Sequence, residues 1–550
     1  MPERILVCVA WPYANYLLHV GQAAGAYLPA DIFARYHRLI GNDVVMVSGS
    51  DSHGTPITVS ADKEGVSPRD IVERYHGKIV ETWERLGISF DLYTTTLTEN
   101  HYATTQEVFV RLREKGLLYR SSQDQLYDPE AERFLPDRYV DGTCPKCGYL
   151  EARGDQCDNC GSQLDAVDLI NPRSRMTGAT PVIRQSEHYF LKLSAFEEPL
   201  KEWVGKQAHW RRNVLNFTLG ALNEGLHDRA ITRDLSWGVP VPDEEYAAKR
   251  IYVWFDAVIG YLSATREWAQ KTGDPEAWRP FWEGDQAKSY YFIGKDNIPF
   301  HTIVWPAMLM GHGGLNLPFD VPANQYVNFK EGQKQSKSKG TGTWVLQLLD
   351  TYDPDVVRFY LTQIMPETSD SEFREIEMLK TNNEVLIATW GNLANRVIAM
   401  VHRNFAGVVP DVATLAPESA ALIAEAQKAF DSAGAEYAAC HFRNALGEAL
   451  RLAQSANRFL DERAPWKAVK TDLAHAGETL ATALNVVNAL KTLMHPVIPF
   501  STQKLHAQLG FEGTVQQAGW QYTPIAAGTL LGPAQALYTK LDPDLLEAQA

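Results

Sequence analysis

The sequence has no apolar run approaching the roughly 20 residues that a membrane-spanning helix needs, which excludes a helical membrane protein. Cysteine is scarce, six in 550 residues, and no secretory leader is read ahead of the first strand. A disulfide-stapled secreted scaffold is therefore not expected, whereas a soluble cytoplasmic protein is. Basic residues are in deficit: 52 Lys and Arg stand against 67 Asp and Glu, for a formal net charge of −15. That balance argues against a general nucleic-acid coat protein. It leaves room for a local basic site for one RNA, because steering depends on where charge sits. There is no internal repeat and no long low-complexity tract.

What remains is an ordinary globular composition, 45% hydrophobic and 22% charged, on a chain too long for one compact core. Two to four domains are expected. Up to about residue 120, strand and helix signals alternate: 5–10 and 44–48 read as strands, 24–39 and 68–86 as helices. This alternation predicts a parallel sheet with helices on its faces, and ligands bind such sheets at the carboxyl ends of the strands. The loops 11–22 and 49–56 fall at such ends. From 121 to 230 turn residues become common, which predicts an insertion between two halves of the sheet. The alternation resumes near 231, with strands expected over 251–255 and 289–293, each followed by a loop with an acid, Asp256 and Asp296. After 371 strand signals almost vanish. Val385, Leu386, Leu393, Val397 and Met400 recur at helical spacing, and 417–460 and 464–493 read as helical, so a bundle is expected there.

Four of the six cysteines lie in Cys144-Pro-Lys-Cys147 and Cys157-Asp-Asn-Cys160, and each pair is followed by a glycine, Gly148 and Gly161. Glycine there permits a turn tight enough for thiolates and backbone amides to face one ion. Four thiolates complete the closed tetrahedron of a structural zinc site, with no open position for catalysis. A redox CxxC is the alternative. Cys8 and Cys440 sit in apolar company and read as buried spectators. The stretch Phe329-Lys-Glu-Gly-Gln-Lys-Gln-Ser-Lys-Ser-Lys-Gly340 sets four lysines among small residues. It is either a solvated surface turn or a phosphate clamp that neutralises charge developing on a leaving pyrophosphate. His19-Val-Gly-Gln22, where the first strand gives way to a helix, is either a packing corner or a cradle for phosphate.

Taken together, His-Val-Gly-Gln and Lys-Gln-Ser-Lys-Ser resemble the paired signatures of class I aminoacyl-tRNA synthetases, a His-Ile-Gly-His type motif and Lys-Met-Ser-Lys-Ser. The zinc knuckle between them narrows the resemblance to the methionyl-tRNA synthetase family. Pro12-Tyr-Ala-Asn15, Asp51-Ser-His-Gly-Thr-Pro56, Ile231-Thr-Arg-Asp-Leu-Ser-Trp-Gly238, Tyr252-Val-Trp-Phe-Asp256 and Phe292-Ile-Gly-Lys-Asp296 are similar to that family's segments, in its order. So are Gly391-Asn-Leu-Ala-Asn-Arg396 and Asp461-Glu-Arg-Ala-Pro-Trp466, and the likeness runs from about residue 5 to about residue 500.

The resemblance implies an α/β fold: a Rossmann-like parallel-sheet catalytic domain in two halves, 1–120 and 231–325, split by a connective insertion, 121–230, that carries the zinc knuckle at 141–163. A signature-loop and stem-contact region, 326–370, and a helical anticodon-binding domain, 371–550, follow. The implied activity is methionine–tRNA ligation: L-methionine and ATP with Mg2+ give methionyl-adenylate and pyrophosphate, and the methionyl group passes to the 3′ end of tRNA(Met). On that reading His19, Gly21, Gln22 and Lys337 handle ATP, Lys334 assists, Arg233 contacts a substrate carboxylate or phosphate, and Asp296 supports the adenylate side. Asp51 holds the α-ammonium, while Tyr13, Trp254, Tyr261 and His301 line the thioether pocket, where aromatic rings suit polarizable sulfur. Cys144, Cys147, Cys157 and Cys160 hold one structural zinc. Asn392, Arg396 and Trp466 read the anticodon by hydrogen bonding and stacking. A monomer is expected.

Three positions depart from the family pattern: Gln22 stands where His is usual, Gln335 where Met is usual, and Trp11 where a smaller residue, often Leu, borders the methionine pocket. The alternatives are another class I synthetase or a non-catalytic RNA-binding relative. The chain is too short for the editing insertion of the leucine group, and four cysteine ligands do not permit the substrate-thiol zinc of the cysteine enzyme. Gln22 and Gln335 favour the non-catalytic reading; His19, Lys337 and Asp51 argue against it.

Overall fold

Strand β1 (Arg4–Val9) is apolar from Ile5 onward and buried on both faces, the pattern of a central strand in a parallel sheet. In the computed structural model, which describes residues 2–154, 157, 159, 160, 162, 164–329, 333, 334 and 342–542, the chain leaves β1 for helix α1 (20–39) and returns through β2 (Asp43–Ser50). Helix α2 (Pro68–Leu86), strand β3 (Leu92–Thr95) and helix α3 (Glu99–Glu114) complete the first half. Ser67 caps α2 and Gly87 ends it at φ +73, so start and stop are both written locally.

After α3 the chain runs into an antiparallel pair, β4 (Leu118–Asp128) and β5 (Val182–Leu191), in register from Leu118↔Leu191 to Tyr127↔Val182. Between them lies a small three-stranded sheet, with Val140–Thr143 flanked by Ala152–Arg153 and Ile170–Ser174. It has its own minor core, in which Tyr139, Val140 and Leu169 pack with Cys144 and Cys157. The α/β pattern resumes with helix α4 (Val253–Thr272), β6 (Ala287–Gly294) and β7 (Ala323–Asn324). The sheet order is β7-β6-β1-β2-β3, all parallel. The chain builds outward from β1 on one side and then, after the insertion, on the other. The crevice at the carboxyl end of β1 is therefore the switch point where such sheets bind ligands.

One expected strand is absent. Of 251–255 only Ile251 lies in a strand, the two-residue Arg250–Ile251; Tyr252 caps α4 and Val253 already opens it. The apolar run continues to Ala264 with almost every residue buried. A helix apolar all round gives the same short-window pattern as a core strand. Asp256 consequently sits in the first turn of α4 rather than in a loop, and the helix dipole favours an acid there.

Helix α5 (Pro354–Gln363) leads into the bundle of α6 (Asn392–Phe405), α7 (Pro417–Ala438), α8 (Phe442–Arg463) and α9 (Leu473–Met494). The stretch 417–460, helical as expected, is two helices: buried Cys440 at φ +57 turns the chain between them. The bundle docks on α1, where Tyr36 stacks on Tyr437 with ring centroids 5.4 Å apart and meets Trp520 edge-on at 5.1 Å. Cys8 and Cys440 are both buried, as expected for spectators. No described helix is long and apolar enough to cross a membrane.

Candidate active site

His19 is the N-cap of α1, with extended backbone at φ −95 and ψ 160. Its Nδ1 accepts the backbone N–H of Gln22 at 3.3 Å, and the Gln22 side-chain carbonyl accepts the backbone N–H of His19 at 3.3 Å. This is a capping box with histidine in the serine position. It also sets the tautomer: a backbone N–H can only donate, so Nδ1 carries no proton and Nε2 does. Gly21 is required beneath the ring. A Cβ there would lie 3.0 Å from Nδ1 of His19 and 3.4 Å from the carbonyl oxygen of Val327.

The two ends of the lysine-rich segment meet this turn. On one side the strand Val327–Phe329 passes against Gly21 and pairs with Gln333–Lys334, Asn328 opposite Lys334. On the other, Thr343 accepts the N–H of Val20 at 2.9 Å, and Val345 donates to Leu18 at 2.9 Å. Trp344 bridges to His19, their ring centroids 6.3 Å apart. Lys337, Gln335 and, in the zinc knuckle, Gly161 lie outside the described residues.

A cavity of about 640 Å³ opens between the insertion and the strand ends, and Tyr13, Arg233, Trp254 and Asp296 are in its wall. Tyr13 lies so close over Gly54 that a Cβ there would meet its ring at 2.0 Å. It stands edge-on to Trp254 at 6.5 Å, and Trp254 stacks flat on Phe300 at 4.1 Å and 7°. Behind this layer Tyr261 and His301 form a buried pair, hydroxyl to Nε2 at 2.7 Å. The Asn297 carbonyl takes the Nδ1–H of His301 at 2.8 Å, so Nε2 accepts from Tyr261. Burial lowers His301 to about 4 and pushes Tyr261 well up. Both are neutral at physiological pH, which suits an uncharged thioether, but they back the aromatic layer and, like Asp51, are not in the cavity wall. Arg233 lies flat over Tyr252 at 4.0 Å and donates to the carbonyls of Ala230 and Thr232, both at 2.9 Å. Asp296 is exposed at the mouth and accepts from the Tyr326 hydroxyl.

Asp51 is buried at the end of β2, paired across the crevice with Tyr13. Its Oδ1 accepts the N–H of His53 at 3.1 Å. The His53 ring is held by Asp256 at 2.8 Å and by the Tyr102 hydroxyl at 3.1 Å. Sequence reading passed over His53, Phe300 and the site role of Asp256, although each stands in or beside a segment already singled out. An acid and a histidine inside apolar company were the available signal. Trp11 is accommodated by two glycines. A Cβ on Gly49 would lie 2.2 Å from its ring, and one on Gly260 would lie 2.7 Å from it. The larger residue at the pocket's edge is thus matched by absent side chains on β2 and α4.

The four cysteine sulfurs lie within 4.8 Å of one another, with Cys147 to Cys157 at 3.6 Å and Cys144 to Cys160 at 4.0 Å. A tetrahedron with Zn–S bonds of about 2.3 Å has edges of about 3.8 Å, so the donor set and spacing fit that ion. Gly148 adopts φ +75 in the first turn. In the bundle, Arg396 on α6 lies 5.6 Å from the Trp466 ring and donates to Asn457 at 3.1 Å. Trp466 is 37% exposed and Asn392, one turn before Arg396, is exposed on the same face.

The family model described as "tRNA synthetases class I (M)" matches residues 5–398, and "Anticodon binding domain of methionyl tRNA ligase" matches 409–549. A Methionine–tRNA ligase of Dehalococcoides mccartyi strain CBDB1 is 52% identical, aligned over all of this chain and 99% of its own length. One from Roseiflexus castenholzii is 53% identical over 94% of this chain and 88% of its own. Among solved structures, Mycobacterium tuberculosis methionyl-tRNA synthetase bound by methionyl-adenylate is 25% identical with a TM-score of 0.81, covering 98% of this chain and all of that one. The apo form of that protein, also 25% identical, gives 0.73, covering 98% of each chain.

Proposed function

The chain belongs to the methionyl-tRNA synthetases of class I, and from that premise we propose how its own residues carry the two steps of methionine–tRNA ligation. Methionine attacks ATP through its carboxylate at the α-phosphorus. The bond to the bridging oxygen breaks, and pyrophosphate leaves with Mg2+, which belongs to the substrate. The methionyl carbonyl of the adenylate is then attacked by a terminal ribose hydroxyl of tRNA(Met), and AMP leaves. Both partners in the first step are anions, so positioning and charge stabilisation carry the rate.

The observation that carries this reading is the meeting of both ends of the lysine-rich segment with the His19–Gly21 turn. His19 Nε2–H at the positive end of α1 faces phosphate, and Lys337, with Lys334, neutralises the charge that develops on pyrophosphate. Gln22 fixes the ring and the first turn, and Asp296 supports the adenylate at the cavity mouth. Arg233, stacked on Tyr252 with its two bonded contacts on one edge, offers its other donors to the substrate carboxylate. Tyr13, Trp254, Tyr261 and His301 enclose the thioether, and Asp51 takes the ammonium. Cys144, Cys147, Cys157 and Cys160 would hold one zinc, whose chemistry there would be structural, closing the insertion's minor core; from that core the Tyr139 hydroxyl donates to Asp62 at 2.6 Å, on the helix that follows the Asp51 loop.

Methionine-dependent exchange of labelled pyrophosphate into ATP is the direct test. Wild type is expected to exchange, and Lys337→Ala to lose about two to three orders of magnitude in kcat. No exchange by folded protein, or exchange with a different amino acid, overturns the assignment. Asn392, Arg396 and Trp466 supply hydrogen bonding and a stacking face for unpaired anticodon bases. Trp466→Ala is expected to leave exchange unchanged and to lower kcat/KM for tRNA charging about 5- to 150-fold, the loss of about 1–3 kcal/mol of base stacking. The enzyme acts in the cytoplasm as a monomer, a state that light scattering on the purified chain checks.

A further inference from the structure

The end of β2 holds more acid than the assignment above uses. Asp51 is 3% exposed and Asp256 is fully buried, and the two carboxylates bracket one residue: Asp51 accepts from the backbone of His53, Asp256 from its ring. His53 uses its other ring nitrogen on Tyr102, so the proton chain reads Tyr102 O–H to Nε2 and Nδ1–H to Asp256 Oδ2. The second oxygen of Asp256, Oδ1, is buried and meets no hydrogen-bond partner among the described residues. A carboxylate oxygen in that position is costly unless something outside the chain completes it.

The neighbours do not supply a counter-charge. From α3 come Tyr102 and His101, and the nitrogens of His101 are taken by Ser263 at 2.9 Å and Thr105 at 3.3 Å. From the β1 end come Tyr13 and Trp11, and Trp237 faces the His53 ring at 6.1 Å with its indole N–H on the Ser52 carbonyl. Arg69 and Arg250 act on Tyr102 from farther out. Among the described residues no lysine or arginine makes an ion pair with either carboxylate. Burial lowers His53 to about 3, so its ring is not the cation. Two ionised carboxylates gripping one residue, both desolvated and without a cation, are not a stable resting state. Burial pushes both upward, and Asp256 adds repulsion to Asp51.

We propose that Asp256 is a second carboxylate of the α-ammonium site, and that before the amino acid binds Asp51 and Asp256 hold one proton between them, which the ammonium of the incoming amino acid displaces. The inference rests on the assignment of Asp51 to the ammonium. Its ligand is a primary ammonium carried on an amino acid. The balance is simple: the ammonium keeps its three protons and enters as a cation, one proton leaves to solvent, and both carboxylates are then ionised. The sign follows. Below the raised titration of the pair, proton and ammonium compete, so methionine affinity rises with pH until the pair ionises by itself.

Calorimetric titration of methionine into the whole chain at pH 7, in two buffers of different ionisation heat, reads the proton directly. We expect release of about one proton per methionine bound, and none on binding of the des-amino analogue, which keeps carboxylate and thioether. Over the pH range in which the pair still holds its proton, the Kd for methionine should fall as the pH rises, by up to about tenfold per pH unit. In Asp256→Asn, Asp51 ionises unaided, and both the release and the slope should vanish. Methionine binding without proton release overturns the proposal, as does an undiminished release from Asp256→Asn or an equal release with the des-amino analogue on wild type, an arm that needs no variant to fold. Absence of methionine binding altogether overturns it together with the assignment of function, so the two failures are told apart.

Discussion

Arg358→Ala is expected to lower the stability of the whole protein by about 3–5 kcal/mol, the usual cost of removing one partner of a buried ion pair. Arg358 is fully buried beneath the junction of sheet and bundle. Its guanidinium donates to Asp31 on α1 at 2.6 Å, to the Leu86 carbonyl ending α2 at 3.1 Å, and to Pro496 and Val497 just after α9 at 2.9 and 2.7 Å. Alanine would orphan these carbonyls and leave Asp31 with Arg35 and Ser89 alone. Lysine cannot replace the fork, because a single ammonium does not reach acceptors spread around a plane. Arg358→Lys should therefore recover less than half the loss. Burial alone would raise the Asp31 carboxyl, yet Arg35, Arg358 and the Ser89 bonds hold it well below the usual range. A depressed carboxyl stabilises fully above its unfolded value, about 3.9, and loses that contribution as the pH falls toward its folded value. The gap in Tm between wild type and Arg358→Ala should thus be widest near neutrality and close on acidification below about pH 4. Equal gaps at pH 7 and pH 3 would mean that the arginine acts by packing alone.

Much of this architecture was legible because its signals are local. The run Ile5 to Val9, the Ser67 cap and the Gly87 stop of α2, and the paired CxxC turns each specify their structure within a few residues. The expected strand at 251–255 failed for the opposite reason. Whether an apolar run is a strand or a helix buried on every side depends on what packs around it, and α4 is enclosed by α3 and the sheet. The site was legible in its ends but not in its middle. His19 and Asp51 announce themselves at strand ends. Asp256, 203 positions from its partner His53, and Gly49 and Gly260, which make room for Trp11, acquire meaning only when distant elements meet. In sequence Trp11 is only a larger residue at the pocket's border; in space its ring is fitted by two glycines, because a Cβ on either would meet it.

At the His19 turn, removing the imidazole is expected to lower kcat for pyrophosphate exchange by about two to three orders of magnitude, with the KM for methionine nearly unchanged, because a donor aimed at phosphate acts mainly where charge develops. The variant must be chosen with the fold in mind. His19 also caps α1, so His19→Ala removes a cap worth about 1 kcal/mol as well as a donor. His19→Ser restores the cap through a hydroxyl too short to replace Nε2. If phosphate contact is the role, Ser and Ala should be equally inactive while Ser regains the lost stability. If capping is the role, Ser should regain activity too. Gln22 separates the same two functions from the other side. Its carbonyl serves the cap, and Gln22→Glu keeps that bond, since Glu and Gln are interchangeable in a capping box. The added negative charge, however, stands beside the position assigned to ATP. A charge about 6 Å away at an effective dielectric near 20 is worth about 2–3 kcal/mol, so exchange should fall about 30- to 150-fold at unchanged Tm. Gln22→His, with a ring that can donate, should keep or raise the rate. Should Gln22→Glu instead exchange as fast as wild type, the first turn of α1 does not face phosphate, and the contact that His19 makes through its Nε2–H would have to be sought elsewhere in the crevice.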